Sequence, residues 1–225
     1  MKYLCTLAIL FAASCVAFAQ QDYVPRYEGF AGYTYFTAPS FNLVQRGFNV
    51  SGGVNLNTWL TFGGDYSWFN GHSDITVGEL TPAVKAQLAP LLPLLGPNPL
   101  LPFDATTYTF TVGPQFNYRH IKWMTLFVRP VLVGLHESAT LKATSPPLAL
   151  AIQALAPGGT KTDLQPGYGV GGGIDLGITR HLGLHITADY VHVSLFSNLL
   201  AEARNGVRVS VGPSFKFGRN VANVH

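Results

Sequence analysis

The sequence predicts an all-β fold, an eight-stranded antiparallel transmembrane β-barrel with short periplasmic turns and long extracellular loops. In residues 107–118 (TYTFTVGPQFNY), apolar side chains fall on one parity and small or polar ones on the other, as in a strand with two different faces. Residues 111–118 return ninety-nine positions later as SVGPSFKF, which indicates two equivalent strands in one closed sheet. Charged residues make up only 11% of the chain, and its mean hydropathy is +0.23. This composition is typical of a lipid environment.

The N-terminus predicts an export signal over residues 1–19, followed by one barrel domain over 20–225. Lys2 precedes an apolar run that ends in Ala17-Phe18-Ala19, which is typical of a cleavage site. Lipoprotein processing at Cys15 stays open as an alternative. Both cysteines lie in this segment, so the mature chain is expected to have no thiol chemistry. Beyond it no run of 18 apolar residues occurs, so a closed barrel remains as the way to cross a membrane.

The first three strands are expected at 27–36, 47–56 and 59–69. The first has aromatic residues on both parities, and we place Glu28, Gly32 and Thr34 inward. The second and third alternate cleanly, with Asp65 on the inward parity of the third. Only residues 57–58 separate them, which predicts a hairpin.

The remaining strands are expected at 107–118, 123–136, 167–179, 182–195 and 207–217. Residues 119–122 form a turn, and Thr125 and Arg129 point inward from the fifth strand. In the sixth, alternate glycines and Asp175 point inward, and since no helix pattern follows, these glycines do not indicate a nucleotide site. Long and short connections alternate, and aromatic residues gather near both ends of the strands. Both features are typical of an outer-membrane barrel.

Two long connections, 70–105 and 137–165, are unusually apolar. Residues 81–95 and 147–155 are rich in leucine, alanine and proline and are expected to form short helices. They either pack on each other over the barrel mouth or form a docking surface for a hydrophobic ligand, lipopolysaccharide or a surface protein.

Inward positions carry acidic and basic residues in near balance. An eight-stranded barrel is just wide enough for its own side chains, and buried charges need partners. These residues are therefore expected to form a charge network that plugs the lumen, or else a gate on a narrow ion path. The network comprises Glu28, Asp65, Arg129, Asp175, Asp189, Arg208 and Lys216.

A catalytic alternative rests on His192, Ser194 and Glu202. A histidine can deprotonate a serine if an acid orients its ring, and this arrangement resembles that of lipid A deacylases. The other histidines have no ligand-like spacing, so no metal and no cofactor is expected. Without residues 1–19 the formal charge is only +2, from 13 basic and 11 acidic residues, and no basic run favours nucleic acid.

A family likeness is carried by residues 27–36 (YEGFAGYTYF), 167–179 (GYGVGGGIDLGIT), 188–198 (ADYVHVSLFSN) and 208–218 (RVSVGPSFKFG). The chain resembles the small outer-membrane β-barrel family related to the OmpA transmembrane domain and to OmpX. The resemblance implies a Gram-negative outer-membrane location, contact with outer-membrane lipid and lipopolysaccharide, and recognition by the barrel assembly machinery through Phe215 and Phe217. Residues 218–225 continue past that terminal aromatic signal. The expected function is non-enzymatic, in envelope integrity or surface binding through the loops.

Overall fold

The computed structural model of the chain describes residues 21, 23–39, 43–96, 99–194, 196–200 and 204–222. The expected export signal and Glu202 lie outside these residues. Eight strands form one closed barrel in which each strand pairs antiparallel with the next and β8 with β1, so the predicted fold is confirmed. The strands are β1 Pro25–Ala38, β2 Leu43–Asn55, β3 Leu60–Thr76, β4 Leu100–Ile121, β5 Met124–Leu141, β6 Thr160–Gly177, β7 Leu182–Val193 and β8 Arg204–Asn220.

In the part of the barrel nearest the short turns, the strands follow the predicted alternation of apolar and polar residues. On β4, Thr107, Thr109 and Thr111 are buried in the lumen, whereas Phe110 and Phe116 are exposed on the outer surface. The repeated segments lie on β4 and β8, which are four strands apart and therefore on opposite sides of the barrel. In both, glycine permits close strand contact: a Cβ at Gly113 or Gly212 would lie 2.2 or 2.5 Å from a neighbouring carbonyl oxygen.

Several predicted boundaries are wrong because the strands run further than their lipid-facing parts. Strand β4 continues to Ile121, so residues 119–121 belong to the wall, and the turn is 122–123. At the other end β3 reaches Thr76 and β5 reaches Leu141. The two long connections are therefore shorter than expected, spanning 77–99 and 142–159.

Above the lipid-facing part the pattern of the wall inverts. On β3 the outward residues become polar (Asn70, His72, Asp74), whereas Phe69 and Ile75 are buried inside. Strand β4 behaves alike, with Leu101 and Phe103 inside. Apolar residues that face inward, away from water, are the pattern of a water-soluble barrel. The alternation with apolar residues outward, which marks a membrane strand, therefore stops at residue 69, although β3 itself continues to Thr76.

Short helices close this upper end: α1 Pro82–Leu88, α2 Leu92–Leu95 and α3 Pro146–Leu155. Each has proline in its first turn, where the missing N–H is not needed. Ser145 caps α3, its Oγ accepting a hydrogen bond from Leu148 N at 3.4 Å. Within the described part of the chain, no helix is long and apolar enough to cross a membrane.

Candidate functional site: the barrel lumen and its cap

Two arginines and two aspartates form a compact cluster at mid-height in the lumen. Arg208 on β8 donates from Nη1 to Asp65 Oδ1 at 2.6 Å and from Nη2 to Asp189 Oδ2 at 2.8 Å. Arg129 on β5 lies 3.1 Å from Asp65 Oδ2 and 2.8 Å from Asp189 Oδ2. Four different strands thus supply two positive and two negative charges, and the cluster, here called the central quartet, is formally neutral.

Neutral side chains complete the hydrogen bonding of the central quartet. Asn49 Nδ2 donates to Asp65 Oδ1 at 3.1 Å, and Thr111 Oγ1 donates to Asp65 Oδ2 at 2.5 Å. Arg208 Nη1 also reaches Ser67 Oγ at 2.9 Å. Buried charges are tolerated when they are paired and their remaining hydrogen-bonding groups are satisfied. The residues around the central quartet meet that condition.

A second charged group lies nearer the periplasmic end, which we identify by its short turns. Lys216 pairs with Asp175, and Asp175 Oδ2 lies 3.4 Å from His185 Nδ1. The His185 ring packs between Phe30 and Phe127, with ring centroids 4.9 and 5.0 Å away. The lower lumen is therefore polar but filled largely by its own side chains.

Glu28, the remaining member of the expected network, pairs with a residue that the sequence analysis missed. Arg119 Nη2 lies 3.5 Å from Glu28 Oε2 and donates to Asn55 Oδ1 at 2.8 Å. The turn expected at residues 119–122 is wrong for Arg119, which lies on β4 and is buried. The sequence contains a signal for its inward position, because Arg119 falls on the same parity as Thr107 and Asn117. The structure thus brings all seven expected residues into the lumen in three groups, and adds Arg119 and His185.

Above the central quartet the lumen is filled mainly by apolar side chains, with the buried Gln45 and Glu137 among them. Strands contribute Phe36, Leu43, Phe69, Phe103 and Val133, all nearly inaccessible to solvent. Helices α1 and α3 extend this core with their buried faces, as do Phe196, Leu199 and Leu200 of the next loop. The Thr81 N–H donates to Leu199 O at 2.9 Å, which joins two of the loops. The loops therefore pack together over the mouth as a cap.

His192 and Ser194 lie at the upper end of β7, outside the lumen. The His192 ring packs 5.1 Å from the Tyr168 ring, and its Nδ1 is 2.6 Å from Asn205 Oδ1. Ser194 is exposed, and the third expected residue, Glu202, is not among those described. Among the described residues, the hydrogen-bond partner of His192 Nδ1 is therefore the amide of Asn205 and not a carboxylate. No group of three or more histidine, cysteine, aspartate or glutamate residues there can hold a metal ion.

The outer surface has the two aromatic girdles of a membrane barrel. Tyr35, Trp68, Tyr108 and Tyr190 are exposed toward the cap, and Tyr27, Trp59, Tyr118 and Trp123 toward the short turns. Phe215 and Phe217 face outward in the lower girdle, with Phe217 stacked on Tyr27 at 5.7 Å. Between the girdles the exposed wall is apolar, including Phe62, Phe110 and Val170. Such a surface is suited to a bilayer.

A closed eight-stranded barrel with this belt defines the class of small bacterial outer-membrane β-barrels, and an outer-membrane location follows from that fold. The solved structure of Neisserial surface protein A is similar to it with a TM-score of 0.55 and 12% identity, over 85% of this chain and 96% of that one. OprG from Pseudomonas aeruginosa is similar with a TM-score of 0.53 and 10% identity, over 89% and 99%. No protein-family model and no curated protein sequence matches the chain. The likeness therefore concerns the fold.

Proposed function

We propose that the protein is a non-enzymatic outer-membrane barrel that does not conduct and that acts at the cell surface through its cap. The observation that carries this proposal is the double closure of the lumen. The central quartet spans it at mid-height, and an apolar core fills it above. An ion would have to displace paired charges and then pass through a region filled mainly by packed apolar side chains, and both steps are costly.

The cap offers the exposed surface through which such a protein can act. Its inner face is buried on the barrel, but Leu94 on α2 and Leu150 on α3 are 63% and 55% exposed. Leu100, at the start of β4, is 52% exposed. Exposed apolar side chains on a surface that faces water can mark contacts where they form a patch. The proposed partner is an apolar ligand or the apolar patch of a surface protein.

Purified wild-type protein is expected to give no conductance steps in planar bilayers. The Arg129→Ala variant is expected to give none either, because the apolar core above the central quartet remains in place. Asp175→Ala, in the lower lumen, serves as a second variant for the same reason. Steady wild-type currents that change in Arg129→Ala would show instead that the charge network gates an ion path.

Cells that display the protein are expected to partition into hexadecane more strongly than cells without it. Replacing Leu94 and Leu150 together with serine is expected to remove most of that difference, because the double variant deletes exposed apolar surface without touching the buried core. The matched control is Gln87→Ser with Gln153→Ser, two exposed polar positions on α1 and α3. Equal partition by all displaying strains would contradict a role for the apolar cap.

A further inference from the structure

The charge of the molecule is concentrated at its periplasmic end. Among the described residues, six lysines or arginines lie on the strand ends and turns there, and only Glu28 and Asp175 are acidic. The basic residues are Arg26, Arg119, Lys122, Arg180, Lys216 and Arg219. A total charge of only +3 for the whole chain conceals this asymmetry.

Four of these cations surround one cavity of about 300 Å³ at the periplasmic mouth. Arg119 and Lys216 line its inner side, and Lys122 and Arg180 come from the two turns beside it. Gln21 and Tyr23, which precede β1, also line it: Gln21 Nε2 donates to Thr125 Oγ1 at 3.1 Å, and Tyr23 Oη donates to Gly218 O at 2.7 Å. This cavity is here called the vestibule.

The cations of the vestibule are only half compensated. Glu28 and Asp175 are the partners of Arg119 and Lys216. Lys122 and Arg180 have no carboxylate partner among the described residues, and Arg180 instead lies over the Tyr23 ring at 4.1 Å. Among the described residues around the vestibule, positive charges therefore outnumber negative ones; Asp22, between Gln21 and Tyr23 in the sequence, is outside this count.

A buried donor in the same wall has no acceptor. Arg119 is 6% exposed, and its Nε is one of the buried polar atoms for which the described part of the chain supplies no hydrogen-bond partner. A buried N–H without an acceptor is destabilising. The side chain that carries this unpaired donor lines the same cavity as Lys122 and Arg180.

We propose that the vestibule binds a phosphate group, with Lys122 and Arg180 neutralising its charge and Arg119 lining the inner end. A phosphate monoester carries about −1.5 to −2 charges at neutral pH, and the phosphodiester of a phospholipid carries a single negative charge. Either group is attracted by Lys122 and Arg180, and guanidinium groups suit phosphate oxygens. The group belongs to a soluble phosphate ester or to a phospholipid of the periplasmic leaflet. Trp123 lines the vestibule and is also half exposed on the lower girdle, so the site adjoins that leaflet.

The test uses the mature protein folded in maltoside micelles, titrated with glycerol 3-phosphate by calorimetry at constant ionic strength. Lys122→Gln with Arg180→Gln removes the uncompensated cations. Arg26→Gln with Arg219→Gln removes the same charge at the same end from residues that do not line the vestibule. The expected result is saturable binding that weakens at least tenfold in the vestibule variant and less than twofold in the control. The gel shift on boiling verifies that each variant is folded.

A second arm separates the two sources of phosphate. The same three proteins are reconstituted with phosphatidylglycerol and transferred to native mass spectrometry. If soluble ester does not bind, but the wild type and the control retain phosphatidylglycerol that the vestibule variant loses, the site takes a lipid headgroup and the proposal stands. Absence of both kinds of binding, or equal losses in the two double variants, would overturn it.

Discussion

Replacing Arg208 with methionine is expected to lower the free energy of unfolding of the barrel by about 3–5 kcal/mol, the usual effect of removing one partner from a buried ion pair. Arg208 is 1% exposed and bonds to both aspartates of the central quartet. Without it, Asp65 and Asp189 share the single charge of Arg129. The quartet is then left with one buried negative charge in excess.

Urea unfolding in micelles, followed by tryptophan fluorescence, measures this loss. Arg219→Met, an exposed arginine on the same strand, is the control and should change stability by no more than about 0.5 kcal/mol. Adding Asp65→Asn to Arg208→Met restores a neutral pair of Arg129 and Asp189, so the double variant should regain a substantial part of the lost stability. A double variant with a lower free energy of unfolding than Arg208→Met alone would argue against charge balance as the cause.

Gly171→Ala is expected to destabilise the barrel by about 1–3 kcal/mol, the range for overpacking a filled interior. Gly171 pairs with Asp189 across β6 and β7, and a Cβ added there would lie 1.8 Å from Asp189 Oδ1. The carboxylate would have to move away from Arg129 and Arg208. Gly171 is not a member of the central quartet, but its missing side chain leaves the space that the Asp189 carboxylate occupies.

The matched control for Gly171→Ala is Gly52→Ala, because a Cβ at Gly52 meets nothing within 4 Å. Alanine restricts the unfolded chain more than glycine does, so this variant should be neutral or slightly stabilising. The same urea titration compares the two. Equal destabilisation by both substitutions would mean that strand glycines are required for their backbone alone, and not for the space beside Asp189.

The sequence was sufficient for the strand count, the pairing order and the inward residues of the lower wall, because one rule governs them. Wherever lipid lies outside, apolar and polar residues must alternate, and Phe110 against Thr111 shows this directly. The same rule predicts an end of β3 at residue 69. There the environment outside changes from lipid to water, and apolar residues take the inward positions instead of the outward ones. The rule also predicts an end of β4 before Arg119, although that residue keeps the inward parity.

The partners within the lumen could not be obtained in this way. Parity shows that Asp65 and Arg208 face inward, but they are 143 residues apart in sequence, and their contact depends on the height at which each strand crosses the barrel. Likewise, apolar composition predicted helices in two loops, but not that Leu199 and Leu200 of a third would join their core. Such contacts follow from the closed geometry, which no local pattern encodes.

The inverted upper wall determines how high the cap stands. Residues 100–107 of β4 precede the first lipid-facing tyrosine, Tyr108, and at a rise of about 3.4 Å per residue and a tilt of about 40° they lift the rim by roughly 20 Å. The headgroup layer on each side of a bilayer is only about 5–8 Å thick. A folded partner can therefore reach Leu94 and Leu150 without entering the membrane, whereas a lipid would have to leave the outer leaflet to do so.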